Sequence, residues 1–111
     1  MKEEKLSEVT LKILDRSEKL KWIILGEMIP GDSAMVLGVI ACENIVRMVN
    51  PEEMNEGTFN AILGKIKRYF IEKEEKTQRI SKYEHAGVDR FCMMLEGFLK
   101  ENNIKKLNKK L

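Results

Sequence analysis

The sequence predicts an all-α protein, a small bundle of about four main helices within a single domain. Three observations lead to this prediction. The 111 residues contain only two prolines, Pro30 and Pro51. Apolar residues recur at spacings of three and four through most of the chain, which is the period of a helix. Hydrophobic residues make up 43% and charged residues 34% of the chain, a balance that suits one globular domain with its own core.

The first helix is predicted over residues 3–28, and it is apolar on two faces. One strip holds Leu6, Val9, Ile13, Leu20 and Ile24. A second strip beside it holds Leu11, Leu14, Trp22 and Leu25. Such a helix must be covered twice, either by two neighbouring helices or by another copy of the chain. We therefore expect Leu11, Leu14 and Trp22 to be partner-binding residues.

The second helix is predicted over about 33–49, after a stop at Pro30-Gly31. Asp32 and Ser33 are its N-cap candidates, because their side-chain oxygens can accept from free backbone N–H groups. The run from Ala34 to Cys42 is apolar all round. This helix is therefore expected to be the central and most buried one.

Small residues follow one another along this second helix at Ala34, Gly38 and Cys42, at i, i+4 and i+8. In a helix these positions share one face, so the pattern predicts that a neighbouring helix crosses closely there. Glu43 and Arg47, also four residues apart, are expected to pair on the exposed end of the helix.

The second half of the chain predicts two further helical segments. Asn50 and Pro51 are interpreted as an N-cap and a first helical residue of a short turn of helix. A third helix opens at Gly57-Thr58 and presents apolar residues on one face. Those residues are Phe59, Ile62, Leu63, Ile66 and Phe70.

A fourth helical pattern runs from about 80 to 102, where Asn102-Asn103 is interpreted as the stop. Residues 72–79 carry no apolar side chain, so the pattern leaves open whether the third and fourth helices form one long rod. Residues 103–111 form a lysine-rich C-terminal tail, with Ile104, Leu107 and Leu111 on one side.

The residue types and their spacing do not match a catalytic or metal-binding motif. Cys42 and Cys92 are expected to be unpaired buried thiols, since two cysteines make no disulfide framework. The single histidine, His85, has Asp89 four residues on, which predicts an exposed helical pair and not a metal site. We expect no enzyme activity, no cofactor and no metal.

The location of the protein is predicted from two absences in the sequence. The charged residues 1–5 are not followed by the apolar segment of a signal peptide. The longest apolar run, Ala34 to Cys42, is too short to span a bilayer. We therefore expect a cytoplasmic protein that does not bind or span a membrane.

Charge is unevenly distributed although the formal net charge is only +2. Residues 32–60 are strongly acidic, whereas residues 61–83 and 100–111 are strongly basic. Blocks of opposite sign can complement one another between copies of a chain. The basic residues expected to meet a partner are Lys65, Lys67 and Arg68 of the third helix and Lys105, Lys106, Lys109 and Lys110 of the tail.

The two apolar faces of the first helix, the seven methionines and the charge blocks together favour one function. We expect a non-enzymatic protein-interaction or regulatory module that acts as a homo-oligomer, a dimer. The alternative is a sequence-nonspecific nucleic-acid-binding accessory protein, whose basic third helix and lysine-rich tail would contact the phosphates.

Overall fold

The chain folds into four α-helices in a computed structural model. The structure describes residues 5–76 and 80–110, and for residues 108–110 it describes the backbone alone. The helices are α1 Glu8–Gly26, α2 Asp32–Val49, α3 Glu56–Glu75 and α4 Lys82–Lys110. No strand occurs within the described residues. The prediction of an all-α bundle of about four helices is confirmed.

The helices alternate in direction. The ion pairs Arg16–Glu101 and Glu27–Arg90 follow opposite orders along α1 and α4, so these two helices are antiparallel. Helix α3 is also antiparallel to α4. Lys73 near the end of α3 contacts Glu84 near the start of α4, and Met54 just before α3 bonds to Asn102 late in α4. Since α1 and α2 form an antiparallel hairpin, α2 runs parallel to α4. These two helices form the centre, and α1 and α3 flank them without touching each other in the described part of the chain.

The central position predicted for the second helix is confirmed, because α2 packs against each of the other three helices. Its buried side contributes Met35, Val39, Cys42, Ile45 and Val46 to the core. It is not buried all round, however. Leu37 and Met48 are 58% and 78% exposed, because no described helix covers the far side of α2.

The close crossing predicted at Gly38 is confirmed, and α4 is the helix that makes it. A Cβ atom at Gly38 would overlap the backbone carbonyl oxygen of Glu84. A Cβ atom at Gly87 would overlap the backbone carbonyl oxygen of Met35 in the same way. The two central helices therefore touch through their backbones, which only a pair of glycines permits.

Helix α1 begins later than predicted, whereas α2 lies where it was predicted but has a different N-cap. Residues 5–7 are not helical and 1–4 lie outside the described residues, so α1 starts at Glu8 and not at residue 3. Its N-cap is Ser7, whose Oγ accepts from the Thr10 backbone N–H at 3.0 Å. The N-cap of α2 is Gly31 and not Asp32 or Ser33. Gly31 takes a left-handed φ of 80°, which favours glycine there.

Asn50 and Pro51 do not begin a helix, contrary to the prediction. Asn50 ends α2 in a left-handed conformation. Its Oδ1 accepts from the Ser7 backbone N–H at 2.8 Å and from the Thr10 hydroxyl at 2.9 Å. Asn50 therefore fastens the end of α2 to the start of α1. The N-cap of α3 is Asn55, in a capping box.

The third and fourth helices are two separate elements and not one rod, with residues 77–79 of their connection outside the described residues. The helix stop predicted at Asn102-Asn103 is wrong, because α4 continues to Lys110. The Asn102 side chain instead donates to the Met54 backbone oxygen at 2.6 Å, which leaves the helix backbone intact. The lysine-rich segment 103–110 is thus the last part of α4.

Candidate interaction surfaces

Helix α1 buries one apolar face and leaves the other uncovered. Ile13 and Ile24 are completely buried against the neighbouring helices. Leu11 and Trp22, which the sequence placed on a second strip, are 54% and 68% exposed. Leu14 is half-buried. The described helices of one copy therefore cover the second strip only at Leu14.

Exposed apolar side chains gather where α1 ends and α2 begins. Because the two helices form a hairpin, these residues lie at one end of the bundle, which we name the apolar end. Between Trp22 and Ile40 the only ionisable groups are Glu27 and Asp32. The apolar end consists of Trp22, Leu25, Met28, Ile29, Leu37 and Ile40, all exposed.

A largely buried ion pair joins α1 to α2 next to Trp22 in the sequence. Lys21 Nζ lies 3.0 Å from Glu43 Oε1, and the two side chains are only 18% and 5% exposed. Burial acts to lower the pKa of Lys21, but hydrogen bonds to Glu18 and Glu43 outweigh it and leave that pKa above its ordinary value. Trp22 directly follows Lys21, so the pair anchors this segment of α1.

The predicted pairing of Glu43 with Arg47 is therefore wrong. Glu43 is buried, and Arg47 Nη1 donates to Asn44 Oδ1 at 3.1 Å instead. Helical spacing points only to a partner four residues away. It carries no information about Lys21, which is 22 residues from Glu43 in the sequence.

The structure does not bring the three predicted basic residues of α3 onto one face. Lys65, Lys67 and Arg68 are all exposed. Lys65 and Arg68 are three residues apart and share a side of the helix. Lys67 points to the other flank, where it lies close enough to Cys92 to act on the pKa of that thiol.

Lys105 and Lys106 line a groove of about 1070 Å³ between the start of α1 and the end of α4. Arg16 crosses this groove, pairing with Glu101 and lying 4.8 Å from the Phe98 ring centroid. The side chains of Lys109 and Lys110 lie outside the described residues. The other charged residues that line the groove are Glu8, Lys12, Asp15 and Lys19.

Sequence reasoning missed Lys12, Arg16 and Lys19 as neighbours of the C-terminal lysines. No spacing rule links residues that are nearly the whole chain apart, so only the antiparallel packing of α1 on α4 brings them together. Lys65 and Arg68 do not line this groove, because α3 lies on the other side of the central helix pair.

The two cysteines are unpaired, as predicted. Cys42 is buried and Cys92 is partly buried. Burial raises the pKa of both thiols, and the carboxylate of Asp89 raises that of Cys92 further. His85 Nε2 lies 3.5 Å from Glu74 Oε1, so His85 contacts Glu74 of α3 and not the predicted Asp89.

The described residues contain neither a metal-binding cluster nor a membrane-spanning helix. In residues 5–76 and 80–110, no three histidine, cysteine or acidic side chains lie close enough together to hold a metal ion. None of the helices there combines the length and apolar character needed to cross a membrane. Comparison with known protein families, curated proteins and solved structures finds no match for this chain.

Proposed function

We propose that the protein is a non-enzymatic interaction or regulatory module that acts as a homo-oligomer and binds a protein partner through its apolar end. The single observation that carries this proposal is the concentration of exposed apolar side chains on residues 22–40. Large contiguous apolar surfaces on a folded protein mark sites of contact with other molecules.

The residue types of the apolar end suit protein contact. Trp22 supplies a large aromatic side chain of the kind that dominates binding energy at interfaces. Met28, 86% exposed, has an unbranched and polarisable side chain that adapts to different partner shapes. Few charges have to be desolvated when this surface is covered, because Glu27 already pairs with Arg90.

The experiment compares wild type with a Trp22→Glu/Leu37→Glu variant in which both changes lie on exposed positions. Partners of the wild type are first identified by cross-linking, and their binding to purified protein is then measured. The variant should fold normally and lose at least about tenfold in affinity, as hot-spot loss does. The matched control is Ile71→Glu on α3, a 56% exposed residue away from the apolar end.

Equal binding by wild type, variant and control would contradict the role of the apolar end. The homo-oligomeric state is measured separately, by sedimentation velocity over a range of concentrations. A chain that stays monomeric throughout would contradict that part of the proposal. A cytoplasmic location is also proposed, and it agrees with two unpaired cysteines in a reducing compartment.

A second candidate function is sequence-nonspecific binding of nucleic acid. The observation that favours it is the groove, where Lys105 and Lys106 join Lys12, Arg16 and Lys19. Three acidic residues line the same groove and reduce its positive charge. If nucleic acid binds there, affinity falls with salt by a log–log slope of about 0.7–0.9 per phosphate contact, and Lys105→Glu/Lys106→Glu lowers the slope. Absence of binding at low salt excludes this function.

A further inference from the structure

The outer face of α4 carries exposed apolar residues that no other described helix covers. Met93, Ile104 and Leu107 are 71%, 58% and 63% exposed. Their spacings of eleven and three residues place them on one side of the helix. This side lies opposite Leu95 and Phe91, which are completely buried in the core.

Gly97 lies on the same outer face, and nothing in the described chain accounts for it. Glycine within a helix destabilises it relative to alanine. At Gly38 and Gly87 this cost is offset by close packing, because each lies where α2 and α4 touch. A Cβ atom at Gly97 would meet no atom within 4 Å. The space over Gly97 is therefore open to a helix from outside the chain.

An apolar residue of α1 borders this face. Ile23 shares a side of α1 with Arg16 and Glu27, the two residues that pair with α4. Although it lies between these two contacts, Ile23 is 56% exposed. It extends the uncovered apolar surface from α4 towards α1.

The charges beside Gly97 on the outer face of α4 change sign along the helix. Asp89 and Glu96 precede Gly97, and Lys100 follows it. Two such helices in parallel would set Glu96 against Glu96 and Lys100 against Lys100. In an antiparallel pair that crosses at Gly97, Glu96 of each helix faces Lys100 of the other, which is favourable and sets the orientation.

We propose that a second copy of the chain packs on the outer face of α4 as an antiparallel, two-fold symmetric pair, with Gly97 where the helices cross. Such an interface is self-complementary, as a two-fold dimer requires. Glu96 of each copy then lies opposite Lys100 of the other. This inference rests on the proposed function, because it names the surface through which the homo-oligomer forms.

The first experiment measures dimerisation of full-length Gly97→Leu by sedimentation velocity. The leucine meets open space within one copy, so the fold should be retained and the melting temperature of the monomer should not fall. The crossing helix would be pushed away, which should raise the dimer dissociation constant by about tenfold or more.

Gly64→Leu is the matched control. Gly64 is also a glycine inside a helix with open space around a Cβ, and it lies on the side of α3 opposite the buried residues Ile62 and Ile66. This variant should dimerise like wild type. If wild type forms a dimer and Gly97→Leu forms it equally well, the inference about the outer face of α4 is overturned. That result would leave the proposed homo-oligomeric state and the proposed role of the apolar end standing.

The second experiment exchanges the two charges that face each other. Glu96→Lys and Lys100→Glu should each weaken the dimer, since each places like charges together, and the double variant should restore it. In one copy the two residues form an exposed pair at 3.2 Å, which the double variant also preserves. Single variants that dimerise like wild type, or a double variant that does not recover, would rule out the antiparallel pairing.

Discussion

Gly87 and Gly97 lie on the same helix, and their surroundings differ sharply. Gly87 faces inwards, where a Cβ atom would overlap the Met35 backbone, whereas Gly97 faces outwards into open space. The inner glycine is explained by contacts within one copy of the chain. No contact within one copy explains the outer one, and for that reason it enters the proposed dimer. The comparison teaches that a glycine in a helical sequence does not by itself reveal a close approach, and that only the structure shows whether a neighbour is there.

The largest effect is expected at the inner crossing. Gly87→Leu or Gly38→Leu forces a side chain into a backbone contact, where neither helix can yield without moving the other. We expect a loss of about 3 kcal/mol or more in the free energy of unfolding. Denaturant unfolding followed by circular dichroism measures it. If both variants unfold like wild type, the α2–α4 crossing is not as close as the structure has it.

A smaller loss is expected at the buried ion pair between α1 and α2. Lys21→Met removes the cation and leaves the Glu43 carboxylate buried without its partner. The cost should be about 2 kcal/mol, which is typical of an uncompensated buried polar group. Lys19→Met is the control, because Lys19 pairs with Asp15 on the surface and both side chains are well exposed. Equal stability of the two variants would contradict the structural role of Lys21.

At the outer face we expect a gain and not a loss. Gly97→Ala should stabilise the monomer by about 0.5–1 kcal/mol, because alanine lowers the entropy cost of forming the helix and meets no neighbour. Thermal melts at concentrations below the dimer dissociation constant measure this as a rise of a few degrees. Destabilisation there would show that Gly97 is crowded within one copy, which would remove the contrast with Gly87.

The pH dependence of stability should reflect the raised pKa of Lys21. Its contribution is fully present below the ordinary lysine pKa of about 10.4 and is lost as the pH rises through the higher pKa of the folded state. Wild type should therefore lose stability above that pH more steeply than Lys21→Met. If the stability of the two proteins changes with pH in the same way, the Lys21–Glu43 ion pair does not contribute to the pH dependence of stability.

Thiol labelling should distinguish the buried centre of the bundle from its surface, and it requires no substitution that alters stability. Burial raises the pKa of Cys42 and Cys92, so little reactive thiolate forms at neutral pH. Labelling of the folded protein should be slow, slower at Cys42 than at the partly buried Cys92, and fast after unfolding. Rapid labelling of Cys42 in the folded protein would indicate that the central helix pair opens readily.

Helical periodicity predicted the number of helices and the central position of α2, because both depend on local spacing and on the length of an apolar run. It also identified Gly38 as a close contact. The ends of helices were predicted less well. Asn50 and Asn102 looked like local capping residues, but their side chains bond to Ser7, Thr10 and Met54, which are 40 to 48 residues away.

By itself, the sequence determined that the chain is helical, that α2 is central and that α1 carries a second apolar strip, since spacing along one helix and the length of an apolar run decide these points. Only the tertiary structure decided which residues face each other across helices. It paired Lys21 with Glu43, placed Lys105 beside α1 and left Gly97 open to solvent. The physical reason is that side-chain periodicity is a property of one helix, whereas charge pairing and open surface depend on how several helices pack.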